Sequence, residues 1–417
     1  MWELIRTNKR NSVFLMAVMA AVLLALGLAI GWSFFGANGA IWGMVIAVAL
    51  YLILAMISFS SGDQILLAAS KAKRITHDVH PQLFNVVEEM SIAASLPMPK
   101  VYIINDPAPN AFATGRKPQT ASVAVTAGLL GRLNRDELQG VVAHEMSHIL
   151  HRDILYVTLA GIMLGSIVML SHIFLRGMFY SSLSGRQRRF SSGGGGGGGQ
   201  AAIIMLVVAI IAAILAPLMA QLLYFALSRR REYLADAGAA RLTRYPEGLA
   251  SALSKIAGDK APQLASANKA TAPMYIANPF KKKGQKKLSD LTSTHPPISE
   301  RVKILRNMTH GASLLNYSQA YTRTTSKKTI MPKTAVTQET IGIRKVSEKA
   351  TQKQKTREQL HQVADIMRKV NGFIFLTCVC GLKFKIPPNY KHKTITCPKC
   401  KTTNYLKQKA PAVQADD

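Results

Sequence analysis

Four long runs of apolar residues are the most prominent feature of this sequence. Residues 13–35 and 40–60 carry no charge and are separated only by the uncharged stretch 36–39. Residues 155–175 and 201–227 are uncharged too, and each run is long enough to cross roughly 30 Å of hydrocarbon as a helix. The pattern predicts two membrane hairpins. For the second pair of runs, a buried hairpin in a soluble core is the alternative.

The distribution of basic residues around these runs predicts the orientation in the membrane. Bases flank the first hairpin on both sides while its loop is neutral, so the positive-inside rule places both flanks in the cytoplasm. The segment 176–200 disagrees, because it carries four arginines, no acid and seven consecutive glycines. Either these arginines are exported against the rule or the second hairpin does not fully cross. The bases that flank the first hairpin are Arg6, Lys9, Arg10, Lys71, Lys73 and Arg74.

Between the hairpins the pattern changes to that of a soluble α+β segment. Residues 80–94 have the apolar spacing of an amphipathic helix, and residues 101–104 and 122–125 read as short strands. The expected fold class is α+β, mainly α, with integral membrane helices. An edge strand in this segment could accept an extended peptide through backbone hydrogen bonds.

Composition and charge mainly affect what is expected of the C-terminal tail. Hydrophobic residues make up 48% of the chain and its net charge is +30. Residues 281–417 hold 28 Lys and Arg against 8 Asp and Glu, a balance of +20. A basic tail beside a membrane is attracted to anionic lipid, with RNA or acidic proteins as the rival partners. Residues 316–360, rich in Lys, Thr and Gln, are expected to be a solvated and partly disordered linker.

Chemistry is concentrated in one stretch, His144-Glu145-Met146-Ser147-His148. Asn134 and Glu137 have the spacing of a capping box, so a helix is expected to start there. On a helix, His144 and His148 share a face and can reach one metal ion, with Glu145 beside them facing a water on that metal. This arrangement is typical of a zinc peptidase. Chance coincidence on an amphipathic helix is the alternative.

A catalytic zinc ion usually has three protein ligands, so the chain must supply one more. Residues 231–236, just past the fourth apolar run, contain Glu232 and Asp236 one helical turn apart. One of these acids would bind zinc and the other would hold the ring N–H of a ligand histidine. A surface capping pair is the alternative. Because His148 is seven residues before Leu155, a continuous helix would place the zinc on the order of 10 Å from the membrane.

Together these residues resemble the HtpX-type membrane zinc peptidases, relatives of the CAAX prenyl proteases. The resemblance covers roughly residues 1–310 and also rests on the stretches 110–115 and 295–302. It implies that His144, His148 and Glu232 bind zinc and that Glu145 is the base. It also implies that Asn110 lies in the strand that binds the substrate backbone, and that His295 and Arg301 lie near the zinc and stabilise the oxyanion. His151, His172 and His310 are interpreted as surface or interfacial residues.

All four cysteines lie in the tail beyond the region of resemblance. Cys378 and Cys380 form one pair, and Cys397 and Cys400 form a second pair sixteen residues later. Two close pairs with room for a hairpin between them match a structural four-cysteine zinc ribbon, and a cytoplasmic tail excludes stable disulfides. Free thiols are the alternative. Phe373, Phe375, Phe384 and Tyr390 are expected to supply a minimal core.

The sequence therefore predicts a multi-pass inner or plasma membrane zinc endopeptidase with a cytoplasmic site and a zincin-like catalytic domain. It is expected to bind one catalytic and one structural zinc and to degrade misfolded or damaged membrane proteins. A processing peptidase for one membrane or lipidated substrate and a catalytically silent membrane adaptor are the alternatives. The expected partners are membrane-protein or peptide substrates and membrane lipid, with nucleic acid less favoured. The predicted domains are 1–75, 76–154, 155–228, 229–310, a basic linker at 311–370 and a zinc ribbon at 371–417.

Overall fold

A computed structural model gives the fold in two compact units, Met1–Gln352 and Lys353–Asp417. It describes residues 2–155, 229–259, 264, 274–277, 296–329, 331, 341–344, 356–390, 392 and 394–406, with single positions between 158 and 214. The apolar runs 155–175 and 201–227, the glycine stretch 193–199 and His295 therefore lie wholly or largely outside the described residues. The depth of the second hairpin stays a prediction.

The N-terminal hairpin is one long helical stretch, α1 (Trp2–Ala69), interrupted at Gly36. Gly36 has φ 65° and ψ −149°, a conformation that glycine adopts without a Cβ clash. The two arms then pack against each other through glycines in antiparallel order, Gly27 against Gly43 and Gly31 against Gly39. A Cβ at Gly27 would lie 2.6 Å from both Ala47 Cβ and Gly43 O, so the arms require these small residues.

The second arm of this hairpin has the properties of a membrane helix. Asn38–Ala69 is long and apolar enough to span a bilayer, with a mean hydropathy of 2.6 over its most apolar window, and Met16–Trp32 is a shorter apolar helix. Large apolar side chains such as Trp42, Ile46 and Met56 point outward on this arm. Among the residues that the structure describes, Asn38–Ala69 is the one helix that meets the length and hydropathy of a full span.

A four-stranded sheet follows the hairpin, with strand order β1-β2-β4-β3. β2 pairs with β4 in parallel, while β1 with β2 and β3 with β4 are antiparallel, which leaves β3 at an edge. The sheet packs on the end of α1, since Leu66 and Leu67 share a buried cluster with Phe112 and Tyr275. The strands are β1 (Ala72–Arg74), β2 (Lys100–Ile104), β3 (Ala111–Thr114) and β4 (Ser122–Thr126).

Helices pack on this sheet and contain most of the described residues of the first unit. The amphipathic helix predicted at 80–94 is confirmed as α2, with His80 as its N-cap. The central helix α4 begins after Asn134, as the capping box predicts, and residues 229–243 form helix α5. A short 3-10 turn spans Pro118–Thr120. Besides α1 and α5, the helices of this unit include α2 (Pro81–Ala94), α3 (Ala127–Leu130), α4 (Arg135–Leu150), α6 (Pro246–Gly258), α7 (Ile298–Arg306) and α8 (Leu314–Thr325).

Glycines set the spacing between α4 and its neighbours. A Cβ at Gly140 of α4 would lie 2.6 Å from Leu249 N of α6, and a Cβ at Gly238 of α5 would overlap Ser147 Oγ of α4. Both contacts are closer than a real Cβ tolerates, so α4 can lie this near to α5 and α6 only because these positions lack side chains. The close approach brings the residues of α5 within reach of the histidines on α4.

The second unit consists of one helix and two small hairpins. Helix α9 (Thr356–Val370) is followed by a hairpin of β5 (Ile374–Thr377) with β6 (Lys383–Ile386). A second hairpin joins β7 (Thr394–Thr396) to β8 (Thr403–Tyr405).

Two expectations for the tail need correction. Residues 314–325 and 356–370, assigned from sequence to a linker, form α8 and α9, and Val363 of α9 is buried. Tyr317 and Tyr321 of α8 are buried, and Tyr321 stacks edge-on with Tyr233 at 5.0 Å. The aromatic core expected for the second unit is also wrong in part. Phe373, Phe375, Phe384 and Tyr390 are only half-buried, whereas Val363 and Ile386 are buried.

Gly238→Ala should test whether the α4–α5 spacing is fixed by the missing side chain. We expect the added methyl to lower the free energy of unfolding by about 1–3 kcal/mol, because it collides with Ser147. Gly258→Ala is the matched control, since a Cβ there meets nothing within 4 Å. Thermal unfolding in detergent should show a lower Tm for Gly238→Ala and a partial recovery in Ser147→Gly/Gly238→Ala. Equal Tm values for the two single variants would contradict the account.

Candidate metal centre

The helix that carries the site is fixed at its first turn. Asn134 Oδ1 accepts from Glu137 N at 2.9 Å, and Glu137 Oε2 accepts from Asn134 N at 2.9 Å. Glu137 also accepts from Ser251 Oγ and Lys255 Nζ of α6, at 2.6 and 2.7 Å. A capping box satisfies two backbone N–H groups and sets the start of a helix. The position of α4 relative to α6 is therefore determined well before its histidines.

Three side chains converge on one point between α4 and α5. His144 Nε2 and His148 Nε2 are 3.3 Å apart, and each lies 3.6 Å from a carboxylate oxygen of Glu232. Zinc bound tetrahedrally at about 2.0–2.2 Å holds its nitrogen and oxygen ligands roughly 3.3–3.6 Å from one another. The three donors therefore have the spacing of a zinc coordination shell. Their chemistry, two imidazoles and one carboxylate, is that of a catalytic site with one position left open.

Each of the two histidines is oriented by a carboxylate on its other ring nitrogen. Asp236 Oδ1 lies 3.0 Å from His144 Nδ1, and Asp153 Oδ2 lies 3.2 Å from His148 Nδ1. A carboxylate on Nδ1 favours the tautomer that leaves Nε2 free to bind metal. The sequence indicates Asp236 as such an acceptor but does not single out Asp153. The position of Asp153 shortly after α4 could have indicated it, because the second histidine needs an acceptor of its own.

The site is rich in negative charge. Glu145, Asp153, Glu232 and Asp236 are buried carboxyl groups, and Arg301 is the buried base among them. Burial alone would lower the pKa of His144, but the neighbouring carboxylates of Asp236 and Glu232 raise it to about 9. Without a cation, the carboxylates thus draw a proton onto a fully buried imidazole. A divalent cation would satisfy the same field, so the electrostatics fit a metal site.

Asp236 and Arg301 form a two-point ion pair within this site. Arg301 Nε donates to Asp236 Oδ2 at 2.8 Å and Arg301 Nη2 donates to Asp236 Oδ1 at 2.7 Å. Although burial opposes it, this neighbour lowers the pKa of Asp236, so the carboxylate stays ionised while it holds His144. Arg301 Nη1 donates to Ile276 O at 3.0 Å and lies 3.7 Å from Glu232 Oε2. The oxyanion role implied by resemblance stays a prediction, and the contacts favour a positioning role.

Glu145 lies beside the three metal donors but is not one of them. Its carboxyl group is buried, burial raises its pKa, and the backbone N–H of Ala113 on the edge strand β3 donates to it. The other oxygen, Oε1, has no hydrogen-bond partner among the described residues. A carboxylate with one fixed and one open oxygen can accept a proton from a water in the site.

Asn110 lies at the start of β3, but its side chain faces protein. Its Nδ2 donates to Ala277 O at 3.0 Å, and its Oδ1 accepts from Ala277 N at 3.3 Å and from Ala111 N at 3.1 Å. Next to it, Ile276 N donates to Ala111 O at 2.9 Å. Asn110 thus fixes the segment 274–277 against the edge of β3. Direct contact with substrate stays a prediction.

The remaining histidines separate into two groups. His172 and His310 are exposed, in keeping with a surface or interfacial position. His151 is a correction, because it is buried behind α4 with Nδ1 3.2 Å from Ser147 Oγ. Burial lowers the pKa of His151, which favours a neutral packing residue. In the second unit, the four cysteine sulfurs lie within 4.8 Å of one another.

Known proteins are similar to the part of the chain that contains this site. A family model described as peptidase family M48 matches residues 77–309. The chain is 46% identical over 307 residues to a protease HtpX homolog of Dictyoglomus turgidum, which covers 74% of this chain and 94% of that protein. It is 44% identical over 309 residues to the homolog of Listeria innocua, covering 74% and 100%. A crystal structure of S. mikatae Ste24p aligns with TM-score 0.39 and 20% identity over 73% of this chain and 67% of that one.

Asp153→Ala should weaken zinc binding at the three-ligand site by ~10 to 100-fold, because His148 loses the acceptor that orients it. The control is Asp136→Ala, which removes an equal charge from the first turn of α4, the helix that carries His148. Competition with a chromophoric chelator measures both affinities. Equal zinc affinity in the two variants would show that Asp153 does not orient His148.

Arg301→Lys separates a positioning role from an oxyanion role. If Arg301 positions Asp236, losing the two-point contact should lower both zinc affinity and stability, the latter by about 1–3 kcal/mol for buried groups left unpaired. Arg306→Lys on the same helix is the matched control, because its ion pair with Glu247 is exposed. A variant with wild-type Tm and zinc content but reduced kcat would instead support the oxyanion role.

Proposed function

The chain belongs to peptidase family M48 and is a membrane metallopeptidase, and from this premise we propose that it is a zinc endopeptidase whose ligands are His144, His148 and Glu232. The observation that carries the assignment is the convergence of these three donors at 3.3–3.6 Å. Metallopeptidases of this family depend on zinc, and the spacing of the donors fits that ion.

Zinc, when bound, supplies Lewis-acid chemistry, which lowers the pKa of a water and polarises a carbonyl group. Glu145 takes a proton from the attacking water at its open Oε1 and passes it to the leaving amine. Its raised pKa suits this exchange, because a base with a pKa closer to neutral both accepts and releases a proton readily. Asp236 and Asp153 keep the two imidazoles in their binding tautomers throughout.

The edge strand β3 is the proposed binding surface for the peptide backbone. The N–H of Ala113 lies beside Glu145, so a chain lying along this edge would have its scissile carbonyl group next to Glu145 and the three metal donors. The segment 276–277 already occupies the start of the edge, at Ala111. A substrate would therefore extend the sheet from Ala113 onward by β-strand addition, which binds backbone and tolerates many sequences.

The same strand connects the site with the membrane hairpin. Phe112 packs in the cluster that contains Leu66 and Leu67 from the end of α1, and its neighbour Ala113 contacts Glu145. Basic residues on both flanks of the hairpin support a cytoplasmic location for this end. We therefore propose a multi-pass protein with a cytoplasmic site that meets segments emerging from the bilayer.

The proposed task is degradation of misfolded or damaged membrane proteins at the cytoplasmic face. Backbone recognition at an edge strand supports broad rather than single-substrate cleavage, in contrast to a processing peptidase. A silent adaptor is disfavoured, because a buried carboxyl such as Glu145 is costly to maintain and an adaptor has no use for a base. Cleavage of an unfolded membrane protein, but not of its folded form, is the expected pattern in detergent.

Glu145→Gln should separate binding from chemistry, because it preserves shape and leaves the ligands in place. We expect turnover to fall by at least ~10²-fold, the low end for loss of a general base. Zinc content measured on the same sample should equal that of the wild type. Equal proteolysis by the two proteins would refute the peptidase mechanism, whereas loss of zinc would show that Glu145 belongs to the coordination shell.

A further inference from the structure

Four cysteine sulfurs of the second unit form a cluster that the catalytic site does not use. We propose that Cys378, Cys380, Cys397 and Cys400 hold a second zinc ion in a closed site, and that this ion completes the core of the unit. Family M48 matches residues 77–309, so the cluster lies beyond the matched region.

The distances between the sulfurs are those of a metal site. Cys378 Sγ and Cys400 Sγ are 3.4 Å apart, and Cys380 Sγ and Cys397 Sγ are 3.6 Å apart. Four thiolates around zinc at about 2.3 Å are roughly 3.8 Å from one another, whereas bonded sulfurs in a disulfide are about 2.05 Å apart. All four are free thiols in this structure. The sulfurs are paired across the two hairpins, so that a metal would join one hairpin to the other.

Each cysteine pair lies on a tight turn that is closed by a backbone hydrogen bond to the carbonyl oxygen of its first cysteine. The N–H of Gly381 donates to Cys378 O at 2.8 Å, and the N–H of Lys401 donates to Cys397 O at 2.8 Å. Gly381 and Lys401 both have positive φ, 84° and 61°. The equivalent construction of the two turns indicates two halves of one site.

Polar side chains beside these turns contact two of the sulfurs. The Cys400 thiol donates to the hydroxyl oxygen of Thr402 at 3.3 Å. Asn404 Nδ2 adds a contact of 3.5 Å to Cys378 Sγ. Both groups can donate to a thiolate once a metal replaces the thiol proton, because an amide N–H is a donor and a hydroxyl can rotate to become one.

Without a metal this unit has little to hold it together. Among its described residues, the buried side chains are Val363, Ile386 and two of the cysteines themselves, Cys378 and Cys397. A unit this small rarely folds on so few apolar contacts, and a structural metal commonly supplies the missing free energy. Soft thiolates select zinc over hard cations. A tetrathiolate zinc centre carries a charge of −2, which nearby Lys399 and Lys401 can offset.

The full-length protein should contain two zinc ions, one in each site. Replacing Cys378 and Cys397 together by serine should leave one, and His144→Ala/His148→Ala should also leave one. Val379→Ser is the matched control, since Val379 lies between the cysteines of the first pair, is 93% exposed and should not change the count. The measurement is the number of zinc ions per chain in reduced protein. A single zinc in the wild type that is lost only in the histidine variant would overturn the proposal while leaving the catalytic site intact.

A second measurement uses the wild-type protein, in case the serine variant fails to fold. An organomercurial reagent binds thiols, so it should release one equivalent of zinc as four thiols react, while the histidine-bound zinc stays. Substitution with cobalt should give intense thiolate-to-metal charge-transfer absorption, which a site of histidine and glutamate lacks. Release of no zinc by the mercurial, two disulfides in unreduced protein, or iron at the cysteines would each contradict the proposal.

Discussion

The buried pairing of Asp236 with Arg301 is the interaction on which the catalytic unit depends. Both side chains are fully buried, so neither charge is tolerable without the other. Through this pair, Asp236 on α5 holds His144 on α4, and Arg301 on α7 holds Ile276 beside β3. Four separate parts of the chain are thus fixed by one carboxylate and one guanidinium. Loss of either partner would leave an uncompensated charge next to the metal ligands.

Close packing of helices makes this pairing possible. Gly140 and Gly238 let α4 approach α5 and α6 at distances that any side chain would prevent. In the hairpin α1, glycines opposite one another allow the same close contact. The sheet then transmits the position of the hairpin to the site, because Phe112 touches the end of α1 and Ala113 touches Glu145. The membrane segment and the chemistry are therefore joined by two adjacent residues of one edge strand.

Much of the site could be predicted, because several of its residues are close together in sequence and have the spacing of one helix face. His144, Glu145 and His148 lie within one helix, and the capping box at Asn134 marks where that helix starts. Glu232 and Asp236 lie one turn apart, but this spacing alone does not separate their roles; the resemblance assigns Glu232 to the metal, and Asp236 contacts Nδ1 of His144. Asp153 and the segment 276–277 were missed, because each contacts the site through tertiary structure. Strands β1 and β3 have three and four residues, too few for a pattern of alternation.

The tail shows where sequence composition misleads. The stretch that includes α8 and α9 is rich in Lys, Thr and Gln, a composition that predicts disorder, yet Tyr317 and Tyr321 give α8 a buried face within the first unit. Composition averages over a segment, whereas folding depends on the few apolar residues that share one face. The grouping of the four cysteine sulfurs within 4.8 Å is easier to predict, because the two members of each pair are only two or three residues apart in sequence.

The most direct test of the account is X-ray absorption at the zinc edge on full-length protein with the four cysteines replaced by serine. We expect one zinc ion with only nitrogen and oxygen neighbours, at about 2.0–2.2 Å, and the outer-shell signature of two imidazoles. His144→Ala/His148→Ala in the same background should abolish that signal. Zinc that shows no imidazole scattering, or that persists after both histidines are removed, would rule out a metal centre at His144 and His148.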